Sequence, residues 1–103
     1  MISYELIKQL KEAGFPKLNN AEIFFIDVDH TVPYFYIDDI PTLSELIEAC
    51  GMSVQDCCIS KTEDGKFYVV FKGSDDGHGN EIDYCLPTLE EVFAYHWLEI
   101  NKV

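Results

Sequence analysis

Apolar residues recur with the 3.6-residue period of an amphipathic helix in three stretches of the chain. The first stretch follows Ser3, a favourable N-cap, and must end before Gly14, which suits the left-handed position after a helix. The second begins at Thr42, where Glu45 can complete a capping box, and Gly51 ends it. These signals predict two short helices with one apolar face each.

The third helical stretch repeats the capping pattern with Thr88 and Glu91. It carries a long apolar stripe, in which His96 lies next to Trp97. We expect His96 to be half-buried and hydrogen-bonded at the edge of the core, with no catalytic role. The apolar residues of the second and third helices predict a common core: Leu46, Ile47, Val92, Phe93 and Trp97.

Between the helices, short β-branched and aromatic runs predict five strands, at residues 22–27, 33–37, 57–61, 66–72 and 81–85. The dipeptide Asp64-Gly65 supplies a tight hairpin turn between the third and fourth runs. The order α-β-β-α-β-β-β-α predicts a single α+β domain over residues 1–103, with an antiparallel sheet of about five strands and three helices. A similar Pro-Thr-Leu start at residues 41–46 and 87–92 leaves open a weak ββα duplication.

The net charge of the chain argues against some classes of binding partner. The 103 residues are 48% apolar, and 19 acidic residues against seven lysines give a net charge of −12. Such a chain is unsuited to direct contact with nucleic acid or anionic lipid. Since its start lacks the basic and apolar regions of a secretory signal, we expect a cytoplasmic protein.

One short motif points to catalysis. The segment Asp27-Val28-Asp29-His30-Thr31 follows an apolar run and resembles the first motif of haloacid dehalogenase-type phosphatases. That resemblance implies a magnesium-dependent hydrolase with Asp27 as nucleophile and Asp29 as acid and base. However, the next predicted strand follows at once and leaves no room for the crossover helix of a parallel sheet. We therefore interpret the motif as a polar loop between strands.

Two further clusters could hold a metal ion. The carboxylates between Asp75 and Asp83 are dense but do not match a calcium-loop spacing, so we expect a solvated loop that leaves ion binding open. Four cysteines, of which two are adjacent, lack the spacing of a zinc site and predict reduced, mostly buried thiols: Cys50, Cys57, Cys58 and Cys85. We expect no metal and no cofactor.

The run Tyr34-Phe35-Tyr36 is the candidate interaction surface. Successive residues of a strand point to opposite faces, so at least one of these aromatic rings must face away from the core. An uncovered aromatic face is a site for protein contact.

Three segments carry a family resemblance: Ala13-Gly-Phe-Pro16, Ile40-Pro-Thr-Leu-Ser-Glu-Leu-Ile-Glu-Ala-Cys-Gly51, and Thr88-Leu-Glu-Glu-Val92 with Trp97-Leu-Glu-Ile-Asn-Lys102. Together they resemble a group of small proteins of unknown activity from phages, prophages and gut bacteria. The resemblance implies a phage-related setting and supplies no catalytic residue or cofactor.

These features favour a small acidic accessory protein that is not an enzyme and that acts by binding another protein. Its partner would be an unknown protein or a second copy in a weak homo-oligomer. Two alternatives remain open. The carboxylates could mimic nucleic acid and inhibit a host DNA-binding protein, or Asp27 and Asp29 could serve a phosphatase-like hydrolase.

Overall fold

Within the part of the chain that the structure describes, three α-helices and five antiparallel strands follow one another in the predicted order, and the fold is α+β. The computed structural model describes residues 2–51, 57–75 and 81–101. Two 3₁₀ turns, Pro16–Leu18 and Ile37–Asp39, join the regular elements. The elements are α1 (Tyr4–Glu12), β1 (Phe24–Phe25), β2 (Pro33–Tyr34), α2 (Leu43–Cys50), β3 (Cys57–Lys61), β4 (Phe67–Asp75), β5 (Glu81–Leu86) and α3 (Leu89–Ile100).

The helices begin where their caps predict. The Ser3 hydroxyl accepts a hydrogen bond from the Leu6 amide at 3.3 Å. In α2, the Glu45 amide donates to the Thr42 hydroxyl at 3.2 Å, and the Thr42 amide donates to the Glu45 carboxylate at 3.0 Å, which completes the capping box.

The N-terminus of α3 has half of the predicted box. The Glu91 amide donates to the Thr88 hydroxyl at 3.2 Å. The Glu91 carboxylate accepts from that same hydroxyl at 3.2 Å, in place of the backbone amide that a full box would use. The helix is capped, but with one backbone donor satisfied by this pair rather than two.

The five strands form two sheets rather than one. Strands β3, β4 and β5 pair in that order, and β1 pairs with β2 over two residues each. The first two strands are much shorter than predicted because β1 and β2 pair over only two residues each and the chain enters the 3₁₀ turn Ile37–Asp39 soon after β2. The hairpin of β1 and β2 is therefore a small sheet of its own, and β2 contacts α1.

The core lies between the helices and one face of the three-stranded sheet. Val69 and Phe71 of β4 are fully buried, and the Phe71 ring meets Phe93 of α3 with centroids 5.7 Å apart. Trp97 packs edge-on against Phe15 with centroids 5.0 Å apart. The predicted helical core is confirmed: Leu46, Val92, Phe93 and Trp97 are buried and Ile47 is partly buried against them.

His96 is fully buried, and the prediction of a half-buried histidine is wrong. Its ring stacks on the Phe71 ring, with the two centroids 3.7 Å apart. The Tyr84 ring meets it edge-on, with centroids 6.1 Å apart. The prediction from the apolar stripe was too low because other elements cover α3 on more than one side. Ala94 is buried as well for this reason. Burial lowers the pKa of His96, and the negative charge of Glu99 partly opposes the shift.

The cysteines are less buried than predicted. All four lie in the described part of the chain and none forms a disulfide. Cys50 is buried, donates to the Phe93 carbonyl at 3.5 Å, and has its pKa raised by burial to about 12. Cys58 and Cys85 are exposed, because their register places them on the sheet face that points away from the core.

Candidate functional site

The β1–β2 hairpin separates its side chains cleanly onto two faces. Phe24 pairs with Tyr34 and Phe25 pairs with Pro33. Beyond these pairs, the Ile26 amide donates to the Val32 carbonyl at 3.0 Å. Because side chains alternate along a strand, the outer face carries Phe24, Ile26, Val32, Tyr34 and Tyr36, and the inner face carries Phe25, Pro33 and Phe35.

The inner face fastens the hairpin to the rest of the protein. Pro33 and Phe35 are buried, and Phe35 belongs to the main core. The Lys8 ammonium of α1 lies 5.9 Å from the centre of the Phe25 ring. Phe35, predicted with its two neighbours as a candidate surface residue, is therefore an anchor behind that surface. The alternation of the strand explains why Tyr34 and Tyr36 face outward instead.

The outer face is apolar and exposed. Relative exposure is 71% for Ile26, 47% for Val32, 37% for Tyr34 and 54% for Tyr36. The half-buried Phe24 ring lies between the two tyrosines, with centroids 5.2 Å from Tyr34 and 4.8 Å from Tyr36. This packing fixes the positions of the rings.

Two further apolar side chains of the same segment are also exposed. Val28 in the loop is 94% exposed, and Ile37 in the following 3₁₀ turn is 79% exposed. We call the whole set the hairpin surface: Ile26, Val28, Val32, Tyr34, Tyr36 and Ile37. An antiparallel pair normally presents polar residues to water on its free face, so an exposed face of this composition is unusual.

The Asp27–Thr31 motif forms the tip of this hairpin. Asp27 Oδ1 accepts hydrogen bonds from the amides of Thr31 at 2.9 Å and Val32 at 3.0 Å, and Oδ2 accepts one from the Thr31 hydroxyl. These bonds, above all the one from the Thr31 hydroxyl, lower the pKa of Asp27. His30 adopts a positive φ of 57°, which closes the turn.

The Asp27 carboxylate therefore organises its own loop. Both of its oxygens accept from donors within five residues. The strands on either side pair antiparallel with one another, as the interpretation of a loop between strands requires. Asp29 is exposed in the same turn.

The acidic segment between Asp75 and Asp83 divides into two parts. Asp83 lies on β5, where its Oδ2 accepts a hydrogen bond from the Tyr68 hydroxyl at 2.8 Å, while residues 76–80 lie outside the described part of the chain. Within the described residues, no group of three or more histidine, cysteine or acidic side chains is arranged to hold a metal ion.

A separate groove of about 290 Å³ lies between the first 3₁₀ turn and α2, lined by Phe15, Pro16, Lys17, Glu45, Glu48 and Ala49. The Lys17 ammonium lies 2.7 Å from Glu45 Oε1 and donates to the Ile40 carbonyl at 3.1 Å. The lysine lowers the pKa of Glu45, and the Thr42 amide does so to a lesser extent. Sequence periodicity gave no sign of this ion pair, because it joins segments distant in sequence.

Comparison with known proteins returned no matching family model, no matching curated protein and no matching solved structure. Among the helices described here, none has the length and apolar character needed to cross a bilayer.

Proposed function

We propose that this protein is a non-catalytic interaction module that binds another protein through the hairpin surface. The observation that supports this most directly is the composition of the outer face of the hairpin, which is aliphatic or aromatic at each of its five positions. Phe35 and Pro33, on the opposite face of the hairpin, are buried and attach it to the rest of the protein. An exposed apolar face on an anchored hairpin offers a partner a largely preformed surface, which reduces the entropy cost of binding.

The chemistry of this surface favours protein binding over the alternatives. Aromatic residues, tyrosine in particular, are enriched in protein interfaces because they bury a large apolar area and keep a polar tip. A nucleic-acid mimic would instead need its carboxylates in rows. The hairpin surface instead exposes six apolar or aromatic side chains and no carboxylate among them.

The test compares two matched double variants in affinity purification from the cells in which the protein is naturally made. Ile26→Ser with Tyr36→Ser changes the hairpin surface, and Tyr95→Ser with Ile100→Ser removes the same two residue types from exposed positions on α3. Circular dichroism and thermal denaturation establish that each variant is folded.

We expect at least one protein to be recovered with the wild type and the α3 variant and to be lost with the hairpin variant. Recovery of the same proteins with both variants would contradict the proposal. Recovery of nothing above the empty resin by the folded wild type would contradict it as well.

A further inference from the structure

The hairpin surface lies within a strongly acidic part of the chain. Residues 22–39 contain five carboxylates and neither lysine nor arginine. Of these five, Glu22, Asp29 and Asp38 are exposed, and Asp27 and Asp39 are half-buried. The Lys8 ammonium packs over Phe25, on the inner face of the hairpin. The segment that carries the apolar area is therefore itself negatively charged, with three of its carboxylates exposed.

Resting on the proposed function, we propose that the hairpin surface binds a segment of a partner protein that carries apolar side chains flanked by arginine or lysine. The apolar side chains would cover Ile26, Val32 and the tyrosines. The flanking cations would meet the carboxylates around them. An arginine can also stack on an exposed tyrosine ring while it pairs with a neighbouring carboxylate.

The negative charge of the hairpin favours a cationic partner over the other molecules that could occupy this surface. A second copy would bring two hairpins with five carboxylates each into contact, and like charges across an interface are unfavourable. Nucleic acids and anionic membranes are repelled for the same reason. A cationic amphipathic segment gains from both parts of the site: apolar burial supplies affinity, and charge complementarity supplies specificity and rapid association.

The experiment uses three synthetic peptides of equal length as probes. The first has one apolar face flanked by arginines, the second replaces each arginine with glutamine, and the third keeps the arginines but replaces the apolar residues with serine. Binding to the full chain is measured by fluorescence anisotropy. We expect the first peptide to bind at least about tenfold more tightly than either of the other two, and its affinity to fall as salt rises.

Charge variants test whether the carboxylates of the hairpin are responsible. Asp29→Asn with Asp38→Asn removes two exposed charges near the hairpin surface. Glu12→Gln with Glu63→Gln removes two exposed charges elsewhere and is the matched control. We expect the first pair to weaken binding of the arginine peptide by roughly three- to tenfold and the control pair to change it less than twofold, since exposed charge pairs contribute about 0.2–1 kcal/mol each.

The outcomes separate this inference from the function on which it rests. If the arginine and glutamine peptides bind equally and both are lost with Ile26→Ser and Tyr36→Ser, the hairpin surface binds proteins but does not select cations, and only the inference fails. If that variant binds the arginine peptide like the wild type, the peptide is held elsewhere by net charge and the inference fails, while the purification experiment decides the proposed function separately. Binding of none of the peptides overturns the inference alone. A dimer of the wild type at low salt that this variant abolishes would make a second copy the occupant.

Discussion

The buried surroundings of His96 disfavour its protonated form. It is fully buried between Phe71 and Tyr84, and burial lowers its pKa although Glu99 acts in the opposite sense. In the unfolded chain the imidazole takes up a proton near its ordinary pKa of about 6.5. Below that pH the unfolded state binds more protons than the folded state, so acid shifts the equilibrium toward unfolding.

We therefore expect the free energy of unfolding to decrease as the pH falls from 7 to 5. The decrease should be smaller in His96→Phe, which keeps an aromatic ring against Phe71 and has no imidazole to protonate. Urea denaturation at both pH values measures the difference, and His30→Asn in the exposed loop is the control. An equal decrease in wild type and His96→Phe would show that other groups cause the acid sensitivity.

Asp27 and Asp29 differ in what they do for the hairpin loop, although their sequence context is similar. Asp27 accepts three hydrogen bonds from Thr31 and Val32, whereas Asp29 is exposed. We expect Asp27→Asn to lower the melting temperature, because its amide group presents a donor where the loop needs an acceptor. Asp29→Asn should leave the melting temperature close to that of the wild type.

A phosphatase would give a different result from the same two variants. In that case the wild type would release phosphate from p-nitrophenyl phosphate with magnesium, and each substitution would abolish the release. That outcome would contradict a purely structural role for Asp27.

At the scale of the elements, α3 packs against both the three-stranded sheet and the segment that follows α1. Its Phe93 meets Phe71 of the main sheet, and its Trp97 meets Phe15, which precedes the first 3₁₀ turn. We expect Trp97→Ala to lower the free energy of unfolding by about 3–5 kcal/mol, since it removes a large buried side chain and leaves a cavity. Tyr95→Ala on the exposed side of the same helix is the control and should cost about 1 kcal/mol or less. Urea denaturation measures both, and equal losses would mean that Trp97 is not a core residue.

The elements with strong local signals are those that the sequence predicted best. The helix caps at Ser3, Thr42 and Thr88 are all present, and β3 occupies the predicted residues 57–61. Caps and tight turns depend on residues close in sequence, so they can be identified without knowledge of the fold. The two short strands of the first hairpin were predicted too long because several apolar residues there are exposed and take no part in strand pairing.

The candidate site was predictable only in part. Strand alternation requires that Tyr34 and Tyr36 point away from Phe35, but it does not say which set meets the core. That choice depends on tertiary packing, which places Phe35 in one core with residues from distant parts of the chain. The exposure of Ile26 and Val28 was missed, because an apolar residue in sequence is ordinarily assigned to the interior.

At the scale of the whole molecule, the distance over which its net charge acts depends on the salt concentration. The molecule measures 43 × 32 × 24 Å, and its net charge is −12. The Debye length is about 30 Å at 0.01 M salt, so nearly the entire charge acts on an approaching copy. At 0.15 M it is about 8 Å, and only charges close to the contact still act. Apolar attraction between hairpin surfaces changes far less over this range.

We therefore expect the chain to be monomeric at 0.01 M salt and to shift toward a dimer as salt rises, because screening removes repulsion and leaves the apolar contact in place. The shift should disappear in Ile26→Ser with Tyr36→Ser and persist in Tyr95→Ser with Ile100→Ser. Sedimentation equilibrium at 0.01 M and 0.5 M salt measures it. Binding of the arginine peptide has the opposite salt dependence, so the two associations of one surface can be separated by salt alone. A monomer at both concentrations would mean that the hairpin surface is too small to hold two copies together, and would leave a different protein as its only partner.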